Sequence, residues 1–247
     1  MLVPLLVLAV ALVMILFEIT RPARSWPKVA GWWWRALFLN GVQAAMVFVA
    51  GAAWNGWMLR HRLFSTDSLG ITVGAIAGYF ALTFAYYWWH RWRHESRLLW
   101  RLFHQLHHSP QRIEVITSFY KHPFELFANG LISSFVLYFI AGAGPGAATG
   151  AMLISGLAEL VYHWNVSTPY WLGFIFQRPE SHCVHHQERL HWYNFSDLPL
   201  WDMLFGTFRN PRRWEASCGL GPENEGRLLE MLAGVDVRTG RRREVMV

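Results

Sequence analysis

Residues 90–108 read HRWRHESRLLWRLFHQLHH, and how this stretch folds decides how the rest of the chain is organised. It begins where a long apolar run ends and holds five of the chain's twelve histidines. His90 and His94 are four residues apart, so on a helix they share a face, one turn apart. His104, His107 and His108 stand at i, i+3 and i+4, and a second HxxHH follows at His182, His185 and His186. Eleven of the twelve histidines fall between positions 90 and 191, and His61 alone lies outside. Imidazoles clustered at ligand spacing, in a chain with two cysteines, point to a site for borderline metals such as iron or zinc. One HxxxH and two HxxHH motifs supply eight ligands, more than one ion takes, so two ions are the natural count. A straight helix from His94 to His104 would rise about 15 Å and turn the two residues roughly 80° apart. The pair and the trio therefore serve one compact centre only if the helix bends or breaks between them, for which Glu95 and Ser96 offer a place.

The chain around this stretch is no ordinary soluble globule. Of its 247 residues 53% are hydrophobic and 15% charged, and its mean hydropathy is positive. Fifteen tryptophans and eight tyrosines, many beside apolar runs, suit a membrane interface. The net charge of +6 is spread between apolar runs rather than gathered on one face. Anionic headgroups and membrane topology account for it, and no nucleic-acid partner is expected. Cys183 and Cys218 are too few for a disulfide framework and are expected as reduced thiols facing the cytoplasm.

Apolar stretches at about 1–19, 36–59, 70–89, 124–141 and 147–166 predict four to five membrane spans. The first has no basic flank and no clear cleavage site, so a retained span is expected. Residues 20–35, with Arg21, Arg24, Lys28, Arg35 and the run Trp32 to Trp34, read as an interfacial loop. The third span ends in the aromatic belt Tyr86 to Trp89. The last two stretches, joined by the turn Gly142 to Gly146, fit a helical hairpin. Residues 90–123 and 167–247 are left as a polar cap, with Arg241 to Arg243 a solvated or lipid-touching end. Putting the cap and residues 20–35 on one side gathers twenty of the twenty-two lysines and arginines there. The positive-inside tendency makes that side cytoplasmic. The expectation is an all-α, multi-pass integral-membrane bundle, a single domain over 1–247, whose cytoplasmic helical cap holds a His-rich di-metal site.

Further candidates lie between the clusters. His163 stands near the cytoplasmic end of the last span, with Glu159 one turn earlier on the same face. Glu159 is the only acid well inside a predicted span and is a catalytic candidate, with His163 or a bound metal as its partner. His122, before Pro123, belongs at a turn near the headgroups. His61 and His191 read as ordinary residues, and Arg91, Arg93, Arg97 and Arg101 as topology determinants and headgroup contacts.

HRWRH (90–94), HQLHH (104–108), FYKHPFE (119–125), YHWN (162–165), SHCVHH (181–186) and NFSDLPLWDMLFGTF (194–208) together resemble the membrane fatty acid hydroxylase and sterol desaturase superfamily. The resemblance runs from about 70 to 208, and the ordered set is far more specific than any one motif. It implies an integral-membrane di-iron oxygenase of helical fold, with cytoplasmic histidines and a lipid substrate. Carried over, His90, His94, His104, His107, His108, His182, His185 and His186 resemble metal ligands, as does His163 from the last span. His122 matches the family's His-Pro element, where ligand and supporting roles both stand open. Asn194, Asp197 and Asp202 are expected in supporting roles. Glu159 is a departure: some fatty acid hydroxylases have a further histidine there. No cytochrome b5-like domain is appended, so a separate electron-transfer protein is expected, whether cytochrome b5-like, a ferredoxin or a reductase.

The reaction this implies is O2-dependent hydroxylation of a C–H bond in a fatty acyl, sterol or related lipid, with two iron ions (or zinc in purified material). Desaturation and ether-lipid cleavage are the alternatives within the superfamily. A membrane metal-binding or transport protein is the alternative of another class, although a transporter places its ligands near the midplane and these follow span ends. A haem cytochrome needs isolated axial histidines, which HxxHH triplets supply poorly.

Overall fold

A computed structural model describes residues 2–238, so the run Arg241 to Arg243 lies outside the described residues. A chain this apolar closes its backbone hydrogen bonds within each segment. Among the described residues it does so with helices, and the one β-type pairing is an isolated bridge between Gln187 and Cys218.

Helix α1 is Leu2–Thr20. Helix α2, Trp32–Ala50, runs through a π-helical turn at Gly51–Asn55 into α3, Gly56–Arg60. Helix α4, Gly70–Glu95, is followed by the single turn α5, Arg97–Leu99. Helix α6, Pro123–Ser134, is extended by a π-helical segment at Phe135–Ile140, and α7 is Pro145–His163. The shorter helices α8 (Pro179–His185), α9 (Pro199–Leu204), α10 (Pro222–Glu225) and α11 (Leu228–Leu232) follow. A proline opens α6 to α10 in every case, where its missing N–H costs nothing.

Among the described residues three helical stretches are long and apolar enough to cross a membrane: Trp32–Arg60, Asp67–Glu95 and Pro123–Ile140. Residues Leu5–Thr20 form a shorter apolar helix. Phe38, Phe48 and Ile71 turn outward on these spans, 60–70% exposed, as lipid-facing side chains do. Where lipid does not drive helices together, close packing and hydrogen bonds must. Helices α4 and α7 meet through Gly74 against Ala147, Gly78 against Ala151, and Gly150 against Ala75. A Cβ on Gly150 would come within 2.7 Å of that of Ala75. Polar ties add to this. The Tyr86 hydroxyl meets Ser133 at 2.6 Å, and the Trp89 indole donates to Asn129 at 2.9 Å.

Two boundaries depart from expectation. The Trp32 to Trp34 run is no loop. It forms the first turn of α2, after Gly31 in the left-handed region at φ 68°. Trp32 is buried, stacks on Tyr120 with ring centroids 5.2 Å apart, and joins Leu39, Trp100, Leu106 and Met231 in one apolar cluster. Burying those rings draws the end of the span into the cap. Helix α4 also continues past the aromatic belt to Glu95, so His90 and His94 ride on it.

The chain does break between the pair and the trio, and it breaks at Ser96. That residue turns extended (φ −96°, ψ 118°), and its hydroxyl accepts the Leu99 N–H. A π-helical turn, Trp100–His104, then carries the chain to the next histidines. The first helix is tied to the cap by Glu18, whose carboxylate accepts the backbone N–H of Val115 and Asn165 at 3.1–3.2 Å.

Candidate metal centre

Nine histidines from four segments converge in two adjacent groups. The first holds His90, His94, His104, His108 and His185; the second holds His107, His163, His182 and His186. In each group the candidate ligand atoms lie within 4.8 Å of one another. Each HxxHH motif is divided between them. HQLHH gives its i and i+4 residues to the first group and His107 to the second, whereas HCVHH gives its i and i+4 residues to the second and His185 to the first. The groups touch where His108 stacks on His186, with ring centroids 4.3 Å apart and an interplanar angle of 18°.

The ring orientations are fixed from outside. His90 Nδ1 donates to the Phe195 carbonyl at 2.6 Å, His185 Nδ1 to that of Tyr193 at 2.8 Å, and His163 Nδ1 to that of Glu159 at 2.9 Å. A carbonyl only accepts, so in these three rings Nδ1 carries the proton and Nε2 a lone pair. The Glu125 carboxylate, fully buried, accepts from the Arg93 guanidinium and faces His104 Nδ1 at 3.2 Å. An outer carboxylate on a ring nitrogen is the arrangement that orients metal-binding histidines.

The inward nitrogens crowd together. His104 Nε2 lies 2.8 Å from His90 Nε2 and 3.1 Å from His108 Nε2. His182 Nε2 lies 3.1 Å from both His163 Nε2 and His186 Nε2. The Nε2 atoms of His94 and His185 are buried with no hydrogen-bond partner. A hydrogen bond joins two nitrogens, and protons on neutral rings cannot satisfy five that converge. A cation can. Two imidazoles about 2.1 Å from one ion at tetrahedral or octahedral angles stand roughly 3.0–3.4 Å apart, and the observed spacings fall at or just below that range. The donor set therefore fits one borderline metal ion per group.

Burial also keeps the rings neutral and able to ligate. Desolvation holds His104, His107, His108, His182 and His186 well below the usual imidazole value. His185 is lowered to about 3, again chiefly by burial. Fixed cations push the same way: Arg93 beside His104 and His185, and Lys121 beside His107 and His186.

The remaining candidates stand outside both groups. His122 caps α6: its Nδ1 accepts the Phe124 N–H, and its Nε2 donates to the Leu232 carbonyl. Both ring nitrogens thus serve backbone. The Glu159 side chain is ion-paired with Lys121. His61 stacks on Trp57 after the Trp32–Arg60 span. His191 is buried against the first group, 4.9 Å from His108 between ring centroids, with Nδ1 facing the His185 carbonyl at 3.2 Å. Arg93 is no headgroup contact but is buried on Glu125.

Glu125 is the residue that sequence reading missed. Its signal was an acid at the head of an apolar stretch, three residues after His122 in KHPFE. The acids after the second HxxHH act through the backbone. Asp202 accepts from the N–H of Phe195 and Ser196 and from Thr207, which fixes the carbonyl that holds His90. Asn194, left-handed at φ 59°, bonds Ser181 and Arg209 across the loop. Asp197 accepts from Ser155 at 3.0 Å, and its burial pushes the carboxyl up to about 7.

No solved structure matches the chain. Over 115 residues it is 32% identical to the ornithine lipid hydroxylase OlsE of Rhizobium tropici, a stretch covering 45% of this chain. The chain spans 34% of that relative's length. Residues 75–207 match the fatty acid hydroxylase family. That match takes in all nine grouped histidines and more than half of the sequence, and the chain belongs to the fatty acid hydroxylase family.

Proposed function

We propose that the chain is a membrane lipid hydroxylase that holds two iron ions, one in each histidine group, and inserts one atom of O2 into a C–H bond of its lipid. The observation that carries this reading is the convergence of five and four imidazoles, seven buried and His90 and His94 partly so, whose inward nitrogens have no mutual solution in protons. Family membership and the lipid hydroxylase relative support it from outside the geometry. Histidine-rich ligation fits iron, and zinc fits the same donors.

The overall change takes a C–H bond, O2, two electrons and two protons to a C–OH group and water. The electrons come from an electron-transfer protein. The ions, when bound, supply the activation of O2 and an oxidant able to take hydrogen from an unactivated carbon. The chain's own residues do the rest. The carbonyls of Phe195, Tyr193 and Glu159 aim lone pairs of both groups inward. Glu125 holds His104, and His122 anchors the start of α6 beneath it. Trp100, packed on His94 and His108, keeps water from that side of the first group. Four to five spans with the metal centre on the cytoplasmic side complete the reading, supported by the excess of lysine and arginine in the sequence segments 20–35, 90–123 and 167–238 over Arg60 and Arg62 between the second and third spans.

The test is the lipid profile of cells with and without the gene. Cells carrying the protein accumulate a lipid class gaining one oxygen atom, and cells carrying His107→Ala do not. Identical profiles in all three would remove the proposal.

A further inference from the structure

The two groups are unequal in one respect that nothing above explains. The last turn of α4 gives the first group two ligands, His90 and His94. The last turn of α7 gives the second group His163, and one turn earlier on the same face stands Glu159. A carboxylate is a sound ligand for iron or zinc. Glu159 nevertheless lies outside the group, its side chain on Lys121. The Lys121 ammonium is mostly buried and sits on a carboxylate one helical turn from His163. A cation so near a metal group is costly unless it has its own carboxylate.

Resting on the two-ion reading, we propose that Lys121 is a positioning residue that withholds Glu159 from the second ion. The pair leaves that ion with four histidines and an open coordination position on the Glu159 side. The first ion, with five histidines, has the fuller set of ligands. The asymmetry assigns the small molecule that must reach a metal, O2 or an analogue such as azide, to the second group. Without the ammonium, the carboxylate is one turn from His163 and has no competing partner among the described residues, so it closes the position.

The experiment is a cobalt(II) titration of the full-length, metal-stripped protein in detergent, read by visible absorption with azide as the exogenous ligand. Wild type takes up two cobalt ions, and azide perturbs the spectrum of the weaker site. Lys121→Met tightens that site by about tenfold, weakens its visible bands as the coordination number rises, and abolishes the azide response. The double variant Lys121→Met/Glu159→Gln restores the azide response and the band intensity. Lys121→Arg, which keeps the ion pair, behaves as wild type and controls for folding. Equal behaviour of the single and double variants would overturn the inference, because loss of the ammonium's repulsion would then be the whole effect. Failure of wild type to bind cobalt at either group would instead overturn the two-ion reading itself.

Discussion

The two histidine groups are made from the same parts in crossed order, and they differ in the number of rings they hold. Each takes an i, i+4 pair from one HxxHH motif and a single ring from the other. Each is served by the last turn of a long helix, α4 for the first and α7 for the second. Each also has a cation–carboxylate pair beside it, Arg93 with Glu125 and Lys121 with Glu159. In the first group the carboxylate faces a ring nitrogen of His104. In the second, the backbone carbonyl of Glu159 takes the ring proton of His163, and its side chain is held elsewhere. One sequence difference, histidine at 90 and glutamate at 159, thus accompanies the difference between a group of five histidines and a group of four.

The harshest way to break the comparison is to remove one helix-end ligand from each group. His163→Ala leaves the second group with three rings and loses that ion, so metal analysis reads one ion per chain instead of two. His90→Ala leaves four rings in the first group, and both ions remain. The reverse pattern would mean that ligand number does not set the difference. A sharper cut spares every ligand. Glu125→Gln keeps the shape of the side chain but releases His104 and leaves Arg93 without its counter-charge. The first site weakens by about 10–100-fold, as when other outer partners of metal histidines are removed. The second site keeps its affinity. The stranded guanidinium costs about 3–5 kcal/mol of stability, read as a lowered melting temperature.

Much of this was legible in residues 90–108, because ligand spacing on a helix is a local property. The clusters and the need for a break before His104 follow from a 3.6-residue turn and an ion's ligand count, whereas the place of His163 among them came from the family resemblance. The division of each HxxHH between two groups was not legible. It depends on how two non-adjacent helical segments face one another, and no single motif encodes that. His191 was passed over because it stands alone in sequence, although burial against His108 and Trp100 gives it company in space. Arg93 misled for the opposite reason. It sits among arginines that suit a headgroup layer, and its partner is more than thirty residues away. The Trp32 to Trp34 run reads as interfacial from composition, which suits the exposed Trp33 and Trp34, whereas Tyr120 and Trp100 offer Trp32 a buried surface.

The mildest test asks whether the two groups share one physical cause for their neutrality. Burial lowers His185 of the first group to about 3 and its neighbour His191 to about 4. His182 and His186 of the second are lowered in the same sense and also mainly by burial. In the unfolded chain each ring returns to the usual value near 6.5. Above that pH both states are neutral and the rings add no pH dependence. Below it the unfolded chain binds protons that the folded one refuses, so stability falls as pH drops from 6.5 toward the folded values. At pH 5 a ring such as His185 accounts for roughly 2 kcal/mol of that loss. Metal-free protein should therefore lose stability steadily between pH 7 and 5 in denaturant titrations, and both groups should open in one transition. Two separate transitions would show that the groups are buried independently. A flat profile over this range would mean that water reaches the rings and that burial is not what readies them for metal.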